Sequence, residues 1–210
     1  TINVYGSDPG FSVASNGGTH TAWEDVALIR EIPGAVICDP ADDVQMEWII
    51  KEFLKMEGIH YVRSNRKAVR NVYKKGSSFK IGQGNILKEG KDILIIAAGQ
   101  LVSEALDCAE ELEKEGYSVE VIDMFTIKPL DEKLLIKEAK GKSKIVTIEN
   151  HSIYGGLGSA VSEVIAENGI SVPVKRIGVK EKFGQVGTAE FLQEEFGLTA
   201  KQIKETICQF

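Results

Sequence analysis

A histidine follows two adjacent glycines in the stretch SNGGTHTAWED of residues 15–25. Glycines let a ligand approach the backbone closely, and an imidazole can donate a hydrogen bond or relay a proton near neutral pH. A helix is predicted to begin directly after this loop, where exposed amides would favour an anion or a developing oxyanion. His20 is therefore a candidate catalytic residue. The alternative is that Thr19 caps the helix and His20 only covers its end.

A second candidate site is the basic stretch RSNRKAVR, which contains Arg63, Arg66, Lys67 and Arg70. Guanidinium groups bind phosphate esters at two points, and the stretch follows a predicted strand, where ligands gather in α/β sheets. Arg63 and Arg66 face different directions on an extended backbone, so at most one or two of the four can meet the same ligand. The alternative is a solvated surface strip.

The third candidate is ENHSIYGGLGSA of residues 149–160, whose glycines precede a predicted helix. It lacks the G-x-G-x-x-G order of a dinucleotide-binding turn, which excludes that function. Glu149, Asn150 and His151 end a predicted strand and could line a cleft or an interface; the alternative is a turn with a hydrogen-bonded histidine. His60, inside GIHYV, is predicted to be a strand residue without a chemical role.

These candidates depend on elements that alternate between strand and helix. Strands are predicted over residues 2–6, 35–39, 59–64, 92–99, 117–124, 144–150 and 172–179. Helices are predicted over residues 21–34, 40–58, 101–116, 129–142 and 158–169, and a capping box at Thr199 and Gln202 opens a last one. Such alternation with short connections predicts two three-layer α/β domains with largely parallel sheets.

The alternation breaks once, in a stretch rich in glycine and lysine. We predict a linker over residues 76–90, which separates a first domain of residues 1–75 from a second of residues 91–210.

Composition excludes several classes of function. The chain has 210 residues, 43% of them apolar and 27% charged, with a formal net charge of −6, which disfavours non-specific binding to nucleic acid. No apolar run approaches the length of a membrane span, and the first residues do not form a signal peptide. Three cysteines, odd in number, far apart in sequence and without CxxC spacing, argue against a zinc site or a disulfide framework and favour a cytoplasmic location. We expect no metal site in this chain.

Five stretches in order resemble the transketolase family and together cover essentially the whole chain. They are GGTHTAWEDVALIREIPGAVICDPAD, YVRSNR, VEVIDMFTIKPLDEKLL, VTIENHSIYGGLGSAV and FGLTAKQI. Deoxyxylulose-phosphate synthase and the β subunits of 2-oxoacid dehydrogenases share this architecture, but the FTIKPLD stretch and the helix predicted after GGTH favour transketolase proper. A non-catalytic assembly chain of the same fold is a further alternative.

The resemblance implies an enzyme that transfers a two-carbon ketol unit between a ketose and an aldose, or their phosphates. It would use thiamine diphosphate and Mg²⁺ bound between two chains. Residues 1–75 would be only the latter half of the pyrimidine-binding domain, so the first domain is expected to be incomplete. The cofactor-activating glutamate would lie upstream of Thr1, and no cofactor-binding residue is expected in this chain. We expect the C-terminal subunit of a split transketolase, inactive without its N-terminal partner and assembled as a homodimer or heterotetramer.

Four positions correspond to family residues that contact the sugar. His20 takes the place of the substrate-facing histidine, and Arg66 that of an arginine that binds the sugar phosphate. Asn16 stands where an acidic residue usually bonds a hydroxyl, and Asp8 stands where a second histidine often contacts phosphate. A carboxylate at that position should repel a phosphate by ~1 kcal/mol or more. We therefore expect an unusual sugar, one not phosphorylated at the common end.

Overall fold

The computed structural model describes residues 1–65 and 67–210, which form two sheets with helices packed on them. The strands are β1 (Ile2–Ser7), β2 (Val36–Cys38), β3 (Ile59–Ser64), β4 (Asn85–Lys88), β5 (Ile93–Ala97), β6 (Val119–Asp123), β7 (Thr126–Lys128), β8 (Lys144–Ser152) and β9 (Val174–Val179). The helices are α1 (Asp25–Arg30), α2 (Asp43–Phe53), α3 (Val102–Lys114), α4 (Glu132–Glu138), α5 (Leu157–Glu167), α6 (Ala189–Glu195) and α7 (Ala200–Gln209). A 3-10 segment covers Gly10–Asn16.

The first sheet has the strand order β1-β3-β2-β7. β1, β3 and β2 are parallel, and β7 runs antiparallel to β2. Ser7 pairs with Ser64, so β1 and β3 end at the same edge of the sheet. In a parallel sheet this carboxyl edge is where loops build a site. This sheet, α1, α2 and the segments that connect them, including residues 8–24, are called the first unit below.

The second sheet has the order β4-β6-β5-β8-β9, with β4 antiparallel and the other four strands parallel. Every residue of β5 is buried, as expected of a continuous apolar strand covered on both faces. Its odd-numbered residues face a core that includes residues of α3 and α7, and its even-numbered residues face a core that includes residues of α4 and α5. The prediction of an α/β fold with largely parallel sheets is confirmed. This sheet and its helices are called the second unit.

The two units share their cores and a sheet. Phe11 and Trp23 of the first unit lie in the same buried cluster as Leu192 and Leu198 of the second. β7, which follows the second-unit strand β6, pairs with β2 of the first sheet. Loops from both units therefore meet along one boundary, and the site residues lie there.

Several element boundaries differ from those predicted. β3 is observed as predicted, and α7 carries the full capping box. By contrast, the helix predicted over residues 21–34 is only the six residues of α1. β4 lies within the predicted linker, and α6 was not predicted. The division into residues 1–75, 76–90 and 91–210 stays a prediction.

Candidate active site

The long segment between β1 and α1 carries three of the predicted site residues. Residues 8–24 follow the carboxyl end of β1. Asp8 is 5% exposed with a φ of 54°, and its amide donates to Ser64 O at the end of β3 over 2.6 Å. Asn16 and His20 are exposed. The structure thus places all three on one segment at the carboxyl edge of the first sheet, while their roles stay predictions.

Arg66, the fourth predicted site residue, lies outside the described residues. Asn65 and Lys67 line a cavity of about 220 Å³ whose wall also includes Ser12 and Gln100. Gln100 Nε2 of the second unit donates to Ser12 Oγ of the first over 2.7 Å. A cavity between the two units therefore adjoins the residues that follow β3, where the family resemblance places the phosphate contact.

His20 lies in a tight turn that is closed by Gly17. Gly17 O accepts hydrogen bonds from His20 N over 3.0 Å, from Thr21 N over 3.2 Å and from Thr21 Oγ1 over 3.0 Å. Thr19 Oγ1 is 2.9 Å from His20 Nδ1. When this hydroxyl donates to Nδ1, the ring hydrogen lies on Nε2, which can donate to a ligand oxygen. The turn presents an exposed imidazole with one nitrogen already engaged.

This turn is not the start of a helix, so the prediction of a helix-end anion site at His20 is wrong. α1 begins only at Asp25. The carbonyls of Ala22 and Trp23 accept hydrogen bonds from amides of the 3-10 segment and of β8, over 3.0 and 2.9 Å. These tertiary bonds use the groups that would have opened a helix. The alternative, that Thr19 caps a helix there, is wrong for the same reason.

Asn150 of β8 holds the first turn of the His20 segment. Its Oδ1 accepts from Phe11 N over 3.1 Å, and its Nδ2 donates to Pro9 O over 3.0 Å. A Cβ at Gly10 would lie 2.1 Å from Asn150 Oδ1, so only glycine permits this approach. Asn150, at the end of the strand, was expected to line a cleft or an interface. The structure shows it at the interface between the two units.

Arg63 is buried at the same boundary and fully paired. Its Nη1 donates to Asp39 Oδ2 over 2.9 Å, and its Nε and Nη2 donate to the two carboxylate oxygens of Asp25 over 2.9 and 3.1 Å. Nη2 also donates to Asn150 O over 3.0 Å, and Tyr61 Oη donates to Asp25 Oδ2 over 2.6 Å. Arg63 is therefore not one of the arginines that can meet a ligand phosphate.

The charges of this cluster shift the pKa values of its members. Burial raises the pKa of Asp25, but the Arg63 charge and the Tyr61 hydrogen bond outweigh it and hold that pKa below its usual value. Burial raises the pKa of Asp39 above its usual value despite the same arginine. Burial also opposes protonation of Arg63, yet the two carboxylates raise its pKa further. The arginine therefore stays charged, and Asp25 is its firmly ionised partner.

His151 and Glu149, next to Asn150, are also buried. His151 Nδ1 lies 2.6 Å from Ser152 O, and burial lowers the pKa of the imidazole to about 4. Glu149 accepts two amide hydrogen bonds, of 2.7 and 2.9 Å, from the start of α5, while burial raises its pKa to about 7. His151 is thus a buried residue of β8 that is neutral near pH 7.

The remaining candidates also have structural places. His60 is buried in β3, stacks on Phe53 with ring centroids 4.8 Å apart, and bonds Asn3. Arg70 pairs with Asp107 over 2.6 Å. His60 is therefore a packed strand residue, as predicted. Arg70 forms an ion pair with a residue of α3.

Sequence reasoning missed Asp25 and Asp39 as partners of a buried arginine. The available signal was an arginine inside the predicted strand IHYVRS, since a charge that becomes buried requires a partner. An acid directly after the apolar stretch AVIC was the second half of that signal. Neither observation fixes the pairing, because the three residues are brought together only by the fold.

Residues 1–65 and 67–210 contain no group of three or more histidine, cysteine, aspartate or glutamate side chains that could hold a metal ion. Among the same residues, no helix is both long enough and apolar enough to cross a membrane.

A family profile described as the transketolase C-terminal domain matches residues 82–203. The chain belongs to the transketolase family. The resemblance inferred from the five stretches is thereby confirmed.

Two curated transketolase-family proteins are similar along nearly the whole chain. The 6-deoxy-6-sulfo-D-fructose transketolase subunit SqwH of Clostridium sp. (strain MSTE9) is 41% identical over 202 residues, which cover 96% of this chain and 62% of that protein. A putative transketolase C-terminal section of Methanocaldococcus jannaschii is 38% identical over 210 residues, 99% of this chain and 66% of that protein. The chain thus spans less than two thirds of the length of these relatives.

The structure is similar to a solved split-gene transketolase in an inactive β4 tetramer. The TM-score is 0.88 at 36% identity, and the match covers 99% of this chain and 65% of that one. Both units therefore have the arrangement of a transketolase chain.

Proposed function

We propose that this chain is the C-terminal portion or subunit of a thiamine-diphosphate-dependent transketolase. The enzyme would move a two-carbon ketol unit between a ketose and an aldose, or their phosphates. The observation that carries the proposal is the exposed His20 turn at the carboxyl edge of a sheet, where α/β proteins bind ligands. It occurs in a chain that matches a split-gene transketolase over 99% of its length.

Thiamine diphosphate, when bound, supplies the carbanion-stabilising chemistry of the reaction. The family resemblance assigns its metal–diphosphate group to a domain other than the two units described here. We assign the cofactor and Mg²⁺ mainly to a separate N-terminal subunit or domain. The names of the two relatives, a subunit and a C-terminal section, support such a partner.

The residues of this chain would bind and orient the sugar. His20 donates a hydrogen bond to the sugar near the reacting carbon, or relays a proton there, because one ring nitrogen is engaged by Thr19 and the side chain is exposed. Asn16, on the same segment, bonds a sugar hydroxyl. Arg66 anchors an anionic group of the substrate.

We further propose a ketose that is not phosphorylated at its common end. Asp8, at the start of the His20 segment, stands where the family resemblance implies a phosphate-contacting histidine, and a carboxylate there would repel a phosphate. A relative named for a sulfo-sugar supports the idea that family members differ in the terminal group of the sugar.

The proposal is tested in a complex of this chain with its N-terminal partner, thiamine diphosphate and Mg²⁺. We expect transfer of a two-carbon unit from a ketose to an aldose. Mass analysis of the products measures this transfer. His20→Ala should lower kcat by about 100-fold, the lower range for loss of a proton-transferring group. Ser15→Ala, an exposed change on the same segment, is the matched control and should leave the rate unchanged.

Other products would favour the other functions. Decarboxylation of a 2-oxoacid would identify a dehydrogenase β-type subunit or a synthase-like enzyme, and a complex without turnover would identify an assembly chain. An unchanged rate in His20→Ala would remove His20 from the catalytic residues. We also propose a cytoplasmic location, supported by three free cysteines, and a homodimer or heterotetramer.

A further inference from the structure

The turn that carries His20 is in contact with a loop of the second unit. This loop, KEKFGQVG of residues 180–187, lies between β9 and α6 and is called the clamp loop here. A Cβ built on Gly18 would lie 2.6 Å from Gly184 O, and one built on Gly184 would lie 2.8 Å from Gly18 Cα. The two backbones are thus closer than any side chain allows, and both positions require glycine.

The contact extends to both sides of His20. A Cβ on Gly184 would also lie 2.4 Å from Thr21 Oγ1, and one on Gly17 would lie 2.5 Å from Val186 Cγ2. Gly17 and Thr21 take part in the hydrogen bonds that close the turn. The clamp loop therefore touches the turn before and after His20, while the imidazole itself is exposed.

The clamp loop is attached to a helix that supports the same segment. α6 follows it directly, and Leu192 of α6 lies in one buried cluster with Phe11 of the 3-10 segment. Lys182 Nζ lies 3.2 Å from Glu195 Oε1 and 5.6 Å from the centroid of the Phe196 ring. The clamp loop is thus fixed to α6, and the 3-10 segment that leads into the turn packs on the same helix.

Burial of its own apolar side chains does not explain the conformation of the clamp loop. Phe183 is 95% exposed and Val186 is 69% exposed. Side chains so exposed contribute little to folding through removal of apolar surface from water. The close packing in this loop is instead concentrated at Gly184, which faces the turn.

We propose that the clamp loop is a positioning element for His20, with Gly184 as its positioning residue. The contact of Gly184 with Gly18 and Thr21 fixes where the turn holds the imidazole. This inference rests on the proposed transketolase function, in which His20 contacts the sugar. A misplacement of about 1 Å at such a group can lower turnover by about 100-fold.

The test substitutes two glycines of the clamp loop that differ in what they face. Gly184→Ala forces the Cβ into the turn. In the control Gly187→Ala, the Cβ would lie 2.6 Å from Cδ1 of the half-exposed Phe191 ring, which can rotate away, and 3.3 Å from Cδ2 and Cγ of Leu192, and it would not meet the turn. Neither glycine has a positive φ, so neither change adds backbone strain. In the complex with the N-terminal subunit, Gly184→Ala should lower kcat at least tenfold, and Gly187→Ala less than twofold.

A double variant separates positioning from general loss of structure. If Gly184 acts through His20, Gly184→Ala should cause no further loss of kcat in a His20→Ala background. A purely structural defect would lower both backgrounds equally and would overturn the proposal. If Gly184→Ala fails to fold, the exposed change Val186→Ala, which removes the contact with Gly17, should lower kcat in the same direction; an unchanged kcat in that variant would also overturn it.

A spectroscopic measurement on the full chain does not depend on turnover. The chain contains three histidines, and His60 and His151 are buried references. Gly184→Ala should shift the imidazole NMR resonances of His20 and leave those of the other two in place, whereas Gly187→Ala should shift none. Absence of ketol transfer in the parent complex would contradict the proposed function alone, whereas unshifted His20 resonances in Gly184→Ala would contradict the positioning role.

Discussion

Arg63 and Asp25 form a two-point ion pair in which the donors lie 2.9 and 3.1 Å from the two carboxylate oxygens. Arg63 is in β3 and 1% exposed, and Asp25 is the first residue of α1. The pair thus ties the strand to the helix that ends the His20 segment. Asp39, the residue after β2, takes the third donor over 2.9 Å. A buried charge cluster therefore joins three elements next to the candidate active site.

Arg63→Met should destabilise the protein by about 3–5 kcal/mol, because it leaves two carboxylates buried without their counter-charge. The matched control is Arg70→Met. Arg70 pairs with Asp107 at the surface, and both side chains are substantially exposed, so its loss should cost less than about 1 kcal/mol. Urea unfolding of the three proteins measures the difference. Equal losses of unfolding free energy in the two variants would show that the buried cluster contributes no more to stability than the surface ion pair.

Asn150→Asp should loosen the start of the His20 segment. The aspartate can still accept from Phe11 N, but it presents a second acceptor to Pro9 O, to which Asn150 donates. Loss of this bond and the unmatched acceptors should cost about 1–3 kcal/mol. Hydrogen exchange of residues 9–16 should accelerate in parallel.

Asn168→Asp is the control for this change, because Asn168 Nδ2 donates to a carbonyl of its own helix, Val164 O, over 2.9 Å. The control should leave exchange in residues 9–16 as in the parent. The same exchange rate in parent and Asn150→Asp would contradict the role given to Asn150.

Features that depend on contacts between residues close in sequence could be predicted, and features that depend on contacts between distant residues could not. β3 and the capping box of α7 were predicted because apolar runs and caps act within a few residues. The helix predicted over residues 21–34 failed because its first carbonyls bond the 3-10 segment and β8. The pairing of β7 with β2 joins residues about ninety apart, and local patterns do not carry that information.

Prediction of the candidate site is limited in the same way by contacts between residues distant in sequence. His20 was a candidate because of its residue type after paired glycines, and the family resemblance added Asp8 and Asn16; all three lie on the segment between β1 and α1. Gly184, by contrast, contacts the turn from a loop far along the chain, and its sequence context FGQVG does not indicate a partner. A contact that needs two glycines is visible only once both backbones are placed.

Asp123→Asn should change how stability depends on pH. Asp123 Oδ2 accepts from Gln45 Nε2 over 2.7 Å and from Tyr73 Oη over 2.5 Å. Burial raises the pKa of Asp123 to about 7, and the nearby charge of Asp39 adds to it. The native protein therefore holds this proton at pH values where the unfolded chain, with a pKa near 3.8, has lost it. Stability from this group is complete below the unfolded pKa and is lost as pH rises through about 7.

An asparagine mimics the protonated acid, so the variant should gain about 2 kcal/mol relative to the parent between pH 5.5 and pH 8. Urea unfolding at those two pH values measures this difference. Glu149 and His151 titrate in both proteins and cancel in the comparison. A constant difference between the two proteins across this range would show that Asp123 is ionised in the native state throughout.

Asp8→Asn should shift the choice of sugar towards phosphorylated substrates. Asp8 lies at the end of β1 on the His20 segment, and the change keeps the shape of the side chain while removing its negative charge. Asparagine also tolerates the positive φ of 54° at this position. If this carboxylate opposes a phosphate by ~1 kcal/mol or more, the ratio of kcat/KM for a phosphorylated ketose to that for its unphosphorylated counterpart should rise at least about fivefold.

The measurement requires the complex with the N-terminal subunit and both ketoses at matched concentrations. Asn16→Asp is the control, because it adds a negative charge to the exposed end of the same segment. It should lower or preserve the ratio. A ratio that stays constant in Asp8→Asn would mean that the Asp8 carboxylate does not act on the terminal group of the sugar.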